Sequence, residues 1–296
     1  MRRAGAATVG TVAALSVALA GCTSSASEPP LAVTHVHAVD LDDERGAVYV
    51  ATHEGILRIT VDTSAADAAT SSEVGSVERL GEWTGDVMGM ARLGDTIYLS
   101  GHPAPGASSP ANIGVYQADV LGQEIVPLSL EGEVDFHSMT ITDVSGASPA
   151  LAGIDSASGR VIANRDGVET WTVGAAISAR SLSWDVDAQR LFATTEQGLQ
   201  VSTDDGVTFS LVDGAPRLLL ISSASAGSPD AYLAGVDVEG YVHTSTDGVT
   251  WNSGGLAPAL TAAVSVGSEG SLVAAGTQGV YRSNDRGATW VVIVAF

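Results

Sequence analysis

The chain has no lysine: all thirteen basic residues are arginine, set against 34 acidic ones, for a net charge of −21 over 296 residues. That balance argues against a nucleic-acid partner and against an anionic lipid surface, since both would repel the protein. There is one cysteine, so no internal disulfide can form whatever the redox compartment. Aromatic residues make up only 5%, few for a saccharide groove built on stacking platforms. The one long apolar run, residues 8–20 (TVGTVAALSVALA), is too short for a permanent membrane helix. Also missing are a Gly-rich phosphate loop leading into a helix, a nucleophile elbow and any cysteine-based site.

What is present begins at the N-terminus. Arg2 and Arg3 form a positive start, the apolar run follows, and Leu19-Ala20-Gly21-Cys22 closes it. This ending resembles the bacterial lipobox, whose cysteine is lipidated and becomes the new N-terminus. The reading is a signal peptide over 1–21, a lipidated Cys22 opening a flexible tether over 22–33 (TSSASEPP at its start), and one domain over 34–296. Without Arg2 and Arg3 the charge becomes −23. The expected location is the extracytoplasmic face of the cell membrane, with the membrane reached through lipid on Cys22.

Within the domain the strongest signal is self-similarity. Residues 202–209 read STDDGVTF and 283–290 read SNDRGATW. Two degenerate copies are TSTDGVTW at 244–251 and NRDGVETW at 164–171. The closing aromatics Trp171, Phe209, Trp251 and Trp290 are spaced by 38, 42 and 39 residues. Asp166, Asp204, Asp247 and Asp285 are expected to be structural: the carboxylate accepts hydrogen bonds within a turn, Gly supplies positive φ, and the aromatic packs beneath. Around each motif the pattern alternates as in strands. A segment of one type recurs as VYVAT (48–52), IYLSG (97–101), ALAGI (150–154), LFATT (191–195), AYLAG (231–235) and LVAAG (272–276). The fold class is therefore all-β: a β-propeller of about six four-stranded blades, with longer insertions at 63–77 and 103–112.

The four turn motifs resemble the Asp-box, or BNR repeat, of bacterial sialidases, sortilin-type receptors and a photosystem assembly factor. Over nearly the whole domain, THVHAVDLD, VYVATHEGILRI, DVMGM, SGHP, DFHSM, GIDSASG and LFATTEQGL are similar to bacterial lipoproteins named as BNR-repeat glycosylhydrolases. The resemblance implies a sialidase-like or glycosidase-like propeller. Sialidases share a Phe/Tyr-Arg-Ile-Pro motif and an arginine triad. The nearest match here, Leu57-Arg58-Ile59-Thr60, lacks the aromatic and the proline, and only Arg180 and Arg217 are available as substrate-binding arginines. Whether the chain is an enzyme stays open on these residues.

In a propeller the start of each innermost strand A and the end of strand B share one face. Aligning the A strands puts His37, Met88, His137, Arg180, Arg217 and Thr261 at one level, with His35, Asp86 and Asp135 two residues earlier on the same side. At or near the ends of the B strands lie His53, His102, Asp155, Glu196 and Asp237. Five of the six histidines thus share one mouth; His243 falls on a strand C, as ordinary surface. Three readings follow. His35, His37, His53, His102 and His137 with Met88 suit copper, with zinc second. Asp86, Asp135 and Glu196 suit a glycosidase, with Arg180, Arg217, Asp155 and Asp237 as binding groups, if two carboxyls stand about 5 Å or roughly 6.5–9.5 Å apart. The third is a polar mouth that captures a protein and catalyses nothing.

Overall fold

A computed structural model describes Met1 and residues 33–61, 74–144, 148–167, 169–185, 187, 189–224 and 230–296. Residues 2–21 of the export signal, Cys22 and residues 63–73 of the insertion expected at 63–77 lie outside these described residues; residues 74–77 of that insertion belong to a strand and not to a loop.

Six antiparallel sheets of four strands follow one another along the chain. Blade 1 is β1 (Val36–Asp42), β2 (Ala47–Thr52), β3 (Gly55–Val61) and β4 (Val74–Arg79). Blade 2 is β5 (Asp86–Leu93), β6 (Thr96–His102), β7 (Val115–Asp119) and β8 (Ile125–Ser129). Blade 3 is β9 (Phe136–Thr142), β10 (Ala150–Asp155), β11 (Arg160–Asn164) and β12 (Thr172–Ala176). Blade 4 is β13 (Ser181–Trp184), β14 (Leu191–Thr195), β15 (Gly198–Ser202) and β16 (Ser210–Leu211). Blade 5 is β17 (Leu218–Ser223), β18 (Leu233–Asp237), β19 (Tyr241–Ser245) and β20 (Asn252–Leu256). Blade 6 is β21 (Thr261–Val266), β22 (Leu272–Gly276), β23 (Gly279–Ser283) and β24 (Val291–Ala295). Each sheet pairs its strands in chain order, so no blade borrows a strand. The six-bladed propeller expected from the repeat is what forms.

The second strand of each blade explains its composition. Every residue of β2, β10 and β22 is buried, because a blade's inner strands are covered on both faces by the neighbouring blades. Such strands read as continuous small and apolar runs rather than as alternation. The apolar side chains gather into six clusters, one at each seam between blades. Val50, Leu57 and Ile59 of blade 1 meet Val273 and Val280 of blade 6. Tyr49 and Ile56 of blade 1 meet Val87 and Leu99 of blade 2. The other four seams repeat this. The first and last blades therefore close the ring by packing side chains across the seam rather than by sharing a strand. A polar clasp supports that seam. Asp43 Oδ2 accepts from Ser268 N at 2.7 Å, Ser268 Oγ at 2.9 Å and Ser271 Oγ at 2.6 Å, and Asp43 Oδ1 accepts from Arg282 Nη2 at 2.9 Å.

The four recurring turns join the third and fourth strands of blades 3–6. Asp204 Oδ1 accepts from Ser202 Oγ (2.8 Å) and Thr208 N (2.9 Å), and its Oδ2 accepts from Thr208 Oγ1 (2.6 Å). Asp285 repeats this with Ser283 and Thr289. Asp247 accepts from Val249 N and Thr250 N, and Asp166 from Glu169 N and Thr170 N. Backbone donors at Thr250 and Val249 pull the Asp247 carboxyl down to about 2. The aromatics Trp171, Phe209, Trp251 and Trp290 each pack into the seam with the preceding blade. Gly248 shows why the turn needs glycine: its φ is +71°, and a Cβ there would sit 2.4 Å from Phe192 Cζ in the blade before. The turns thus fix both the strand pair and its neighbour.

Candidate functional site

The first strand of each blade lines a central channel of about 720 Å³, with His37, Met88, His137, Arg180, Glu196 and Arg217 among its lining residues. The side chains that enter it are selected by a feature no repeat alignment contains. Five of the six channel strands carry a bulge near their start, at His37, Met88, His137, Leu219 and Ala262. A bulge sets one residue out of the ladder and re-aims it. For blades 1–3 this is the level assigned from sequence. For blades 5 and 6 the equivalent residues are Leu219 and Ala262 rather than Arg217 and Thr261. Blade 4 pairs without a bulge from Ser181, and Arg180 stands just before it.

Strand register also separates the acids. Asp155 and Asp237 pair with Phe136 and Leu218, as Thr52 pairs with Val36 and Gly101 with Val87. His53 and His102 each lie one residue further on. A one-residue offset turns a side chain to the other side of its strand, so Asp155 and Asp237 cap their own turns instead of joining the five histidines of the mouth. Asp155 Oδ2 accepts from Ser158 N (3.0 Å) and Oγ (2.5 Å). Asp237 Oδ1 accepts from Glu239 N (3.0 Å) and Tyr241 N (2.8 Å), while its Oδ2 meets His243 Nε2 at 2.7 Å. His243, expected as ordinary surface, is instead a mostly buried partner of Asp237.

The other five histidines divide into two clusters at consecutive seams. At the seam of blades 1 and 2, His53 Nδ1 lies 2.8 Å from Asp86 Oδ2. A carboxylate only accepts, so the proton sits on Nδ1 and the lone pair of His53 is on Nε2. That Nε2 is 2.6 Å from His35 Nδ1. The His37 ring stands edge-on to His53, with centroids 4.7 Å apart. Its Nε2 is 3.6 Å from Asp86 Oδ1. Both of these atoms are buried without a hydrogen-bond partner among the described residues. Burial lowers the His37 pKa below the usual imidazole value; Asp86 opposes this, and His53, His35 and His137 reinforce it. The cluster thus sets an imidazole nitrogen and a carboxylate oxygen facing each other, with two further imidazoles beside them. His37, His53 and Asp86 each offer a ligand atom, all within 4.8 Å of one another. Gly101 keeps Asp86 in place. Its φ is +144°, and a Cβ there would lie 2.1 Å from Asp86 O and 2.8 Å from Met88 N.

At the next seam Asp135 takes the place of Asp86. His137 Nε2 is 2.8 Å and His102 Nε2 3.6 Å from Asp135 Oδ2, which also accepts from Ser156 Oγ at 2.8 Å. Ser156 was not anticipated from sequence; a serine in a Gly/Ser-rich turn carries no signal of its own. On the far side of the channel, Arg217 Nη2 donates to Glu196 O at 3.3 Å. Of the two tryptophans outside the turn motifs, Trp184 is core and Trp83 packs partly buried against the blade 1–2 seam.

No protein-family model and no curated protein matches the chain. Solved structures do resemble it. A chain of a nidogen–laminin complex is 13% identical with a TM-score of 0.57, over 83% of this chain and 91% of that one. PorZ, a surface component of the type-IX secretion system of Porphyromonas gingivalis, is 12% identical with a TM-score of 0.51. An ancestral GH74 enzyme is 14% identical, also with a TM-score of 0.51. Each of the last two aligns over 90% of this chain, which spans 39% of their length. At such identities what is shared is the propeller: a fold found in a glycosylhydrolase and in proteins of other roles.

Proposed function

We propose that this chain is an extracytoplasmic lipoprotein whose Asp-box propeller binds a divalent transition metal, zinc or copper(II), at the seam of blades 1 and 2. His37 Nε2, His53 and Asp86 are the ligands, and His35 supplies the next imidazole. One observation carries the reading: His37 Nε2 and Asp86 Oδ1 are buried, face each other at 3.6 Å, and have no other partner among the described residues. Leaving such groups unpaired costs about 1–3 kcal/mol each. Two ligands bonded at about 2.1 Å to a tetrahedral ion stand roughly 3.4 Å apart, so the pair is already spaced for one. Nitrogen and carboxylate donors suit zinc and copper(II) better than copper(I).

The glycosidase reading is less well supported. Asp86 and Asp135 are held by histidines, and Asp155 and Asp237 by their turns, which leaves Glu196 without a second carboxylate to face across a glycosidic bond.

The test is titration of the full chain, purified without a polyhistidine tag, with zinc and with copper(II). Stoichiometric binding at sub-micromolar Kd that His37→Ala weakens a hundredfold supports the reading. Binding that ignores His37→Ala and His53→Ala overturns it. The anchor is tested separately, by labelling cells with a fatty-acid analogue: Cys22→Ala should abolish both label and membrane retention.

A further inference from the structure

The channel mouth has two unlike halves: histidines and aspartates over blades 1–3, arginines and exposed apolar side chains over blades 4–6. We propose that the second half is a docking surface for a partner protein, one that lays apolar side chains on blade 5 and sets a carboxylate on Arg180 and Arg217. This surface and the metal site stand or fall separately.

Large apolar side chains stand exposed at the mouth end of each strand of blade 5 in turn. Leu219 is on the channel strand β17, Val238 follows the end of β18, Tyr241 opens β19 and Leu256 closes β20. Leu260 adds a fifth, in the loop to blade 6. All five are between 41% and 67% exposed. Leu219 and Val238 both line the channel, Val238 N donates to Arg217 O at 3.2 Å, and Tyr241 pairs across the sheet with Leu256. Four strands about 4.8 Å apart make a row about 15 Å long. Exposed apolar surface gathered in this way marks a contact site.

Leu260 is the most exposed of the five, and its φ is +59°, in the left-handed region that a leucine enters at a cost. In the loop between blades 2 and 3, Leu130 has a φ of +55° and packs against the cluster of Val115 and Phe136. Leu260 packs into none of the six seam clusters. A glycine would hold this loop without strain, so the fold itself gains nothing from the side chain.

The charges define the partner. Arg45, Arg58, Arg92, Arg165, Arg190 and Arg282 each pair with a carboxylate. The guanidinium of Arg180 has no partner among the described residues, and that of Arg217 donates only to a carbonyl, Glu196 O at 3.3 Å. This contact draws Arg217 over the end of β14, into the blade that Arg180 introduces. Glu196 and Glu239 are exposed in the adjoining turns, and neither carboxylate pairs with an arginine among the described residues. On a chain of net charge −21, two unneutralised guanidiniums mark a place where a carboxylate meets attraction rather than repulsion. Arginine and tyrosine beside aliphatic side chains are also the residues that dominate protein interfaces. The row is open to solvent along its length. A bound acyl chain would keep one side in water, whereas a protein segment covers the row from above.

The probe comes from random linear peptides displayed on phage and panned on the full chain; enriched sequences are synthesised and their Kd measured by fluorescence polarisation. They should carry an acidic residue beside apolar ones. Arg217→Gln, Leu256→Ser and Leu260→Gly should each weaken binding about tenfold, with zinc affinity unchanged. Leu260→Gly should melt no lower than wild type, so that its lost binding is not lost folding. Enrichment of no sequence, or of peptides that bind the three variants as tightly as wild type, overturns the proposal. So does displacement of the peptides by sodium laurate at equal concentration, which would make the row a lipid site. A wild-type dimer in sedimentation that Leu256→Ser dissociates would assign the row to a second copy of the chain and overturn it as well.

Discussion

Aspartates at the mouth of blades 1–3 and aspartates in the turns of blades 3–6 are the same residue in opposite conditions. In the turns both carboxylate oxygens are filled: Asp204 and Asp285 each take a serine hydroxyl, a threonine hydroxyl and a backbone N–H. At the mouth one oxygen is filled and the other is not: Asp86 Oδ1 and Asp135 Oδ1 are buried and unpaired, as is His37 Nε2 facing the first of them. A saturated carboxylate stabilises its own turn. A half-saturated one, placed beside imidazoles, has capacity left for something from outside. The comparison gives a rule for propellers: the repeat motif marks scaffold, and function is sought where hydrogen bonds are incomplete.

That contrast can be broken or sharpened by mutation. The largest effect is expected from the double variant His37→Ala, His53→Ala. Metal affinity should fall at least a hundredfold, equivalent to about 2.8 kcal/mol, by calorimetry. His37→Ala alone should hold or raise the metal-free melting temperature, because it removes a buried unpaired nitrogen, whereas adding His53→Ala strips Asp86 Oδ2 of its partner and should lower it. Next is Asp43→Ala, which strips four hydrogen bonds from the seam where the ring closes. Chemical denaturation should show a loss of about 2 kcal/mol with metal affinity unchanged. Asp285→Ala should cost about 1 kcal/mol, as loss of a capping residue does, again with metal affinity intact. A metal defect in Asp285→Ala, or a folding defect in His37→Ala, would erase the distinction between the two regions.

Acid should separate them by a smaller margin. The folded-state pKa of His37 lies below its ordinary 6.5. The unfolded chain therefore takes up a proton first, and the contribution of His37 to stability is full above pH 6.5 and declines as pH falls towards the lowered value. Asp247, drawn from 3.8 down to about 2, contributes fully above 3.8 and loses that contribution between the two values. Metal-free melting followed from pH 8 to 3 should decline in two stages, and His37→Ala should remove only the earlier one.

Much of the fold was legible in the sequence, and for a physical reason. Seam packing demands the same buried second strand in every blade, so VYVAT, LFATT and LVAAG had to recur. The common face of the five histidines was legible too, because strand direction fixes which ends share a mouth. Register was not. The bulges at His37, Met88 and His137 follow from backbone pairing that no side-chain pattern encodes, and the one-residue offset of Asp155 and Asp237 turned two expected binding groups into turn caps. The division of the histidines into a set around Asp86 and a set around Asp135 depends on how adjacent blades abut, and spacing along the chain cannot supply that.

The most direct test of the metal reading is an anomalous-difference map at the zinc edge from crystals of the zinc-loaded protein. The account predicts a peak within bonding distance of His37 Nε2, His53 and Asp86, at the seam of blades 1 and 2. A map with no peak there, or with its peak only at His243 and Asp237, would contradict it.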